Sequence, residues 1–169
     1  MSSKPLVQIV NEDDGYLGVT DREKVINNPN MIHRTVELMI INEKKQLLLS
    51  QRSQSKVFEP GQYKIAISTF IEEGEEPIES CARVMEKELG VKPIPVQFLL
   101  KLYDKNDHEV KYIHYYFCHY FLDDFKPNHE EIEHIAWVDI SEAEDFIKKH
   151  KDNMSRTDKL IVDHLQTIM

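Results

Sequence analysis

STFIEEGEEPIESCARVMEKELGV, residues 68–91, is the stretch that decides the fold. Pro77 suits the first turn of a helix, where a missing N–H costs nothing, and Gly90 suits its end, where the chain takes a left-handed turn. Glu72, Glu73, Glu75 and Glu76 crowd the start, where the helix dipole favours acidic groups. The spacing predicts an acidic turn running into a helix over 77–89, with Ile78, Cys81, Ala82, Met85 and Leu89 facing inward.

Upstream, LVQIV at 6–10 reads as a strand and NEDDGYLG as a turn, with Thr20 and Glu23 spaced as the capping box of a short helix. Asn28-Pro29-Asn30 breaks the chain. A strand over 32–41 turns at 42–45 and returns over 46–51 as a hairpin, and Arg52 to Tyr63 reads as an irregular loop before a strand at 64–71. Downstream, a strand over 96–103 follows the turn at Val91-Lys92-Pro93. From Val110 to Leu122, Tyr112, His114, Tyr116, Cys118 and Tyr120 alternate with Ile113, Tyr115, Phe117, His119 and Phe121. Both faces are largely apolar, which implies a central strand covered on both sides. HIAWVDI at 134–140 is a further strand. Ser141 and Glu144 are spaced to cap a helix ending near His150, and a last helix spans 156–168. This order predicts an α/β fold: a single domain over 1–169, an α/β/α sandwich with a mixed sheet between helices.

A chain of 169 residues buries about two thirds of the surface its unfolded form exposes, so no disulfide staples are required. Cys81 and Cys118 sit in apolar patterns and read as small buried hydrophobes, which suits a reducing, cytoplasmic setting. No apolar run near 18 residues and no export signal is visible, so neither a membrane span nor secretion is expected. A formal charge of −9 argues against general binding to nucleic acid, and an anionic substrate would need local cations.

The segment quoted first resembles the Nudix box: glycine, five residues, glutamate, seven residues, then Arg-Glu-apolar-any-Glu-Glu-any-Gly-apolar. Glu75, Arg83, Met85, Glu88, Gly90 and Val91 fall on it, whereas Thr69 replaces its first glycine, Val84 its second glutamate and Lys87 its third. Positions 84, 87 and 88 lie within roughly 100° of one another around a helix, so three glutamates there would share a cleft. In the family such a face holds Mg²⁺ or Mn²⁺, and only Glu88 remains here. The resemblance implies a hydrolase of a nucleoside diphosphate derivative or related organic diphosphate, weakened by the lost ligands. Glu88 is the expected catalytic residue and, with Glu75, the expected metal ligand. Arg83 and Gly90 are structural, and Lys87 is placed to contact phosphate. A glutamate before the Trp137 strand serves as catalytic base in some relatives, and Glu130, Glu131 and Glu133 are the candidates.

SQRSQSKVFEPGQYKIAIS at 50–68 and NEDDGYLGV at 11–19 are similar to isopentenyl diphosphate isomerases and the hydrolases nearest them. Alignment on Pro60-Gly61 puts Arg52 and Lys56 where that branch carries diphosphate-contacting cations. The isomerase's cysteine and metal-binding histidine are replaced by Ser68 and Phe70, and of its paired glutamates only Glu109 remains, beside Lys111 and Ile113. Isomerase activity is therefore not expected. The alternative to a hydrolase is a non-catalytic module that binds a small-molecule diphosphate. None of the eight histidines has zinc-like spacing, though His33 is placed to line the cleft. Leu160, Ile161, His164, Leu165 and Ile168 form an apolar stripe that serves either core packing or a homodimer contact.

Overall fold

The computed structural model describes residues 4–57 and 59–168. Phe58, one position of the expected 52–63 loop, lies outside the described residues, as do the ends of the expected 1–169 domain. Among the described residues nine strands form one mixed sheet: β1 (Leu6–Val10), β2 (Tyr16–Asp21), β3 (Ile32–Ile41), β4 (Gln46–Arg52), β5 (Tyr63–Lys64), β6 (Ile67–Phe70), β7 (Gln97–Lys105), β8 (Val110–His119) and β9 (Ile132–Asp139). Three α-helices accompany them: α1 (Pro77–Leu89), α2 (Ile140–Lys149) and α3 (Arg156–Ile161), the last continuing as a 3-10 turn over Val162–Ile168.

β3 is the spine. Along one edge it pairs in parallel with β8 from Ile32↔Val110 to Ile41↔His119, and it also meets β1, β6 and, at Ile41↔Leu47, β4. Strand pleating sends Val36, Leu38 and Ile40 toward α1, where they pack with Cys81, Val84, Met85 and Leu89. Met39 and Ile41 go to the other side and pack with Ala143 and Ile147 of α2 and Ile161 and Leu165 near the C-terminus. Each such buried aliphatic side chain contributes about 1.5–3 kcal/mol. The C-terminal stripe is thus spent on the core. Cys81 and Cys118 are free thiols in the α1 layer, and burial pushes both up to about 12. No described helix is long and apolar enough to cross a membrane.

Several expectations need correction. The 46–51 return is not a simple hairpin: β3 and β4 share a single pair, and β4 then runs along β9 and β5. The strand expected at 64–71 is two short pieces, because β5 serves β4 while β6 serves β3. Residues 16–21 are strand β2, paired with β1, and the following 3-10 turn, Arg22–Lys24, has no side-chain cap from Thr20. α2 starts at Ile140 with Asp139 at its N-cap, so Ser141 lies inside the helix. Ile78 faces solvent, and Ser80 and Val84 take the buried positions of α1.

Both ends of α1 are anchored, and the C-terminal one ties down a wall of the cleft. At the start the Glu79 carboxylate accepts the Glu76 N–H at 2.9 Å, with Pro77 in the first turn. At the end Gly90 has φ +66°, and the Leu89 and Glu88 carbonyls, left without partners inside the helix, accept N–H groups of Lys126 (2.7 Å) and Asn128 (2.8 Å). The connection after β8 is therefore tied to the helix end, and it carries Glu131 to Glu88. A Cβ at residue 90 would lie 2.6 Å from the Lys126 carbonyl oxygen. Gly90→Ala is expected to cost about 2 kcal/mol from left-handed strain and this clash, lowering Tm by roughly 4–8 °C in thermal unfolding. A shift under a degree would show that the connection yields freely.

Candidate active site

The acidic turn is held by Arg83. Its Nε and Nη2 donate to the two Glu75 oxygens at 2.8 and 3.0 Å, Nη2 also reaches the Phe70 carbonyl, and Nη1 meets Thr69 Oγ1 and Glu72. Glu75 accepts further bonds from the Glu72 N–H and the Ser80 hydroxyl. Burial alone would raise the Glu75 carboxyl, but these donors outweigh it and hold it low. Glu75 is an expected metal ligand. Both its oxygens are instead committed to the turn, and it does not line the cleft beside it.

That cleft has a volume of about 1210 Å³ and is walled by α1, β3, β6, the loop after β4 and the segment before β9. Arg52, Lys56, Lys87 and Glu88 all line it. Lys87 stands at the rim, while Val84, at a box position that carries glutamate in the family pattern, is only 1% exposed and packs into the core. Glu88 Oε2 is buried with no hydrogen bond from the described protein. Burial, then the charge of Glu131, push Glu88 up to about 8, against the pull of Lys56, Arg52 and Arg83. Lys56 Nζ lies 2.5 Å from Glu131, and the Ser53 N–H fixes the Glu131 carbonyl at 3.0 Å, so the cationic loop and the acidic segment come as one unit. Arg52 Nε donates to the Glu59 carbonyl at 3.2 Å. Of the candidate bases, Glu131 is the one that faces Glu88; Glu133 accepts the Gln54 N–H at 3.4 Å, and Glu130 lies in the exposed wall.

Among the described residues no group of three His, Cys, Asp or Glu side chains is assembled as a metal site. Two carboxylates that repel each other, one with a buried unpartnered oxygen, nevertheless fit a single Mg²⁺ or Mn²⁺. Such ions take one or two protein carboxylates and complete their shell with phosphate oxygens and water.

The floor of the cleft is announced by no motif. His33, Thr35 and Glu37 point to one side of β3 and line the cleft, and all are at least nine-tenths buried. Thr35 Oγ1 has no hydrogen bond from the described protein, while Glu37 Oε2 is met only by the Lys64 ammonium and His33 Nε2 lies 3.7 Å from Glu109 Oε2. Burial, then Lys111, lower His33 to about 3, so its ring is neutral. Lys64 Nζ lies 3.4 Å from Glu37 and donates to Ser155 Oγ (3.0 Å) and Thr157 Oγ1 (2.9 Å). Burial alone would lower Lys64, but Glu37, Asp158 and Glu59 raise it. Asp158 is pushed to about 7 by burial against the pull of Lys64. Ser68 and Phe70 border the same floor, and Glu109 is paired with Lys111 at 2.7 Å. The available signal was a glutamate inside the otherwise apolar run VELMII at 36–41.

A family model for the NUDIX domain matches residues 31–160. Isopentenyl-diphosphate Delta-isomerase 1 of Photorhabdus laumondii is 28% identical over 155 residues, 86% of each chain. A prenyl-diphosphate phosphatase of Methanosarcina mazei is 26% identical over 153 residues, 88% of this chain and 87% of that one. The crystal structure of DR0079 from Deinococcus radiodurans shares the fold with a TM-score of 0.75 at 19% identity, covering 95% of this chain and 98% of the other. The match across most of the chain, on a sheet and box helix of this architecture, establishes that the protein belongs to the Nudix family.

Proposed function

We propose that the protein is a divalent-metal-dependent hydrolase of a nucleoside diphosphate derivative or related organic diphosphate. The observation that carries this reading is Glu88, half-buried with one buried, unpartnered carboxylate oxygen, facing Glu131 and flanked by Lys56 and Arg52 in one cleft. Glu88 and Glu131 would hold Mg²⁺ or Mn²⁺, which when bound neutralises phosphate charge and acidifies water. Arg52, Lys56 and Lys87 draw the diphosphate in and take up its charge. The Glu131 carboxylate accepts the proton of the attacking water, and the turn braced by Arg83 and Glu75 keeps the start of α1 fixed while this happens. The two relatives named above carry diphosphates in their names, which supports the substrate class. With two carboxylates instead of a larger cluster, slow turnover is expected.

A second reading rests on Val84, which gives the core what the family gives the metal, and on Lys87. On that reading the protein binds a diphosphate without cleaving it. The test is a panel of nucleotide and prenyl diphosphates assayed for phosphate release in Mg²⁺, Mn²⁺ or EDTA, alongside calorimetry with methylenediphosphonate. Turnover that EDTA abolishes is expected. Binding in EDTA with no product from any compound would replace the hydrolase by the binding module. Isopentenyl diphosphate should give no dimethylallyl isomer, since Ser68 and Phe70 stand at the positions that chemistry uses.

A further inference from the structure

His33, Thr35 and Glu37 form a stripe that the proposed hydrolysis does not use. Same-side residues on a strand recur about every 7 Å, a separation that hydroxyls on opposite edges of a sugar ring can bridge. Each is at least nine-tenths buried; the Thr35 hydroxyl has no partner in the described protein, and His33 Nε2 and Glu37 Oε2 make no hydrogen bond but lie 3.7 Å from Glu109 and 3.4 Å from Lys64. Between them they offer a ring nitrogen, a hydroxyl and a carboxylate oxygen, and Lys64 with Ser155 and Thr157 extends the polar surface beyond Glu37. Phe70 borders this floor, but its ring already has His33 at 5.2 Å and the Arg22 guanidinium at 4.9 Å. It is not an open apolar platform.

We propose that the His33, Thr35 and Glu37 stripe is a recognition subsite for the hydroxyl groups of a sugar esterified to the diphosphate. The inference rests on the diphosphate reading of the cleft and narrows it to sugar-bearing diphosphates. An isoprenoid tail laid on this floor would strip water from the three groups and give nothing back, whereas sugar hydroxyls donate and accept at each. Sites built to bond a substrate hydroxyl reject analogues lacking it far more strongly than apolar pockets reject a missing methylene.

The test is calorimetry on the full chain in Ca²⁺, which takes similar oxygen donors. The ligands are methylenediphosphonate, 5-phosphoribosyl 1-diphosphate, ADP-ribose and geranyl diphosphate. Both sugar diphosphates should bind at least about 100-fold tighter than geranyl diphosphate. Thr35→Val should weaken them about tenfold while leaving methylenediphosphonate within about twofold. Thr35→Ser keeps the hydroxyl and should restore affinity, which separates a lost hydrogen bond from a packing fault. Equal affinity for geranyl diphosphate, or an equal loss for every ligand in Thr35→Val, overturns the subsite. So does tight ADP-ribose with no phosphoribosyl diphosphate binding, which would mean that the base is read and not the sugar. Failure of methylenediphosphonate to bind at all removes the diphosphate reading itself, a result distinct from the others.

Discussion

Replacing Glu88 by glutamine is expected to abolish most turnover, by about 100-fold or more, while making the metal-free protein more stable at alkaline pH. The amide keeps the shape and loses the charge. Glu88 ordinarily titrates near 4.5, and burial with the nearby Glu131 lifts it to about 8. A carboxyl whose folded value lies above its unfolded one binds protons on folding, so it lowers stability as pH rises from about 4.5 to about 8. Glutamine removes that penalty. A tenfold change in proton affinity corresponds to about 1.4 kcal/mol at full effect; discounted for relaxation and water penetration around the ionised carboxylate, a gain of about 2 kcal/mol at pH 9 is expected, with little gain at pH 5. Thermal unfolding in EDTA at the two pH values reads this directly, as a rise in Tm of roughly 4–8 °C at pH 9. An equal rise at both would mean that the carboxylate is not the burdened group, and an unchanged rate would take Glu88 out of the chemistry.

Lys64→Met is expected to be the most damaging substitution for the fold. Methionine fills similar space but leaves Glu37 and Asp158 buried without the ammonium they face, and Ser155 and Thr157 without their donor. Breaking a buried charge pair from one side typically costs about 3–5 kcal/mol, enough to lower Tm by roughly 10 °C or more in a chain of this size. Combining Lys64→Met with Glu37→Gln and Asp158→Asn should recover much of the loss, because the uncompensated charges go with their partner. The triple variant unfolding at the same temperature as the single one would show that Lys64 matters through its packing alone.

The layout of the fold was legible where signals are local. Pro77 and Gly90 bound α1 at residues 77–89 as the spacing required, and the period-two pattern located β3 and β8. Local signals misled where partners distant in sequence choose the structure. Residues 16–18 read as turn and Thr20 as a helix cap, yet 16–21 extend along β1, and Ser141 sits inside α2 because β9 runs straight into it. The break between β5 and β6 is set by their different partners, β4 and β3. At the cleft, the placement of Glu88 was legible from the box, and that of Arg52 and Lys56 from the resemblance of the stretch around Pro60-Gly61. The engagement of Glu75 with Arg83 was not, since an acidic residue eight positions before an arginine reads equally well as solvated. The floor was hidden for another reason. Thr35 and Glu37 alternate with Val36 and Leu38, so the strand reads as core on one side, and only the cleft on the other reveals what the polar side faces.

The parallel ladder between β3 and β8 carries a cost in time. Strand β3 is synthesised early, and the whole box helix and β7 must emerge before residues 110–119 exist to cover its long edge. At about 5–20 residues per second, the apolar run at 36–41 waits several seconds for its neighbour on the ribosome. Pairings this distant in sequence are slow to close and open to off-pathway association, so nascent chains ending before β8 are the aggregation-prone form of this protein.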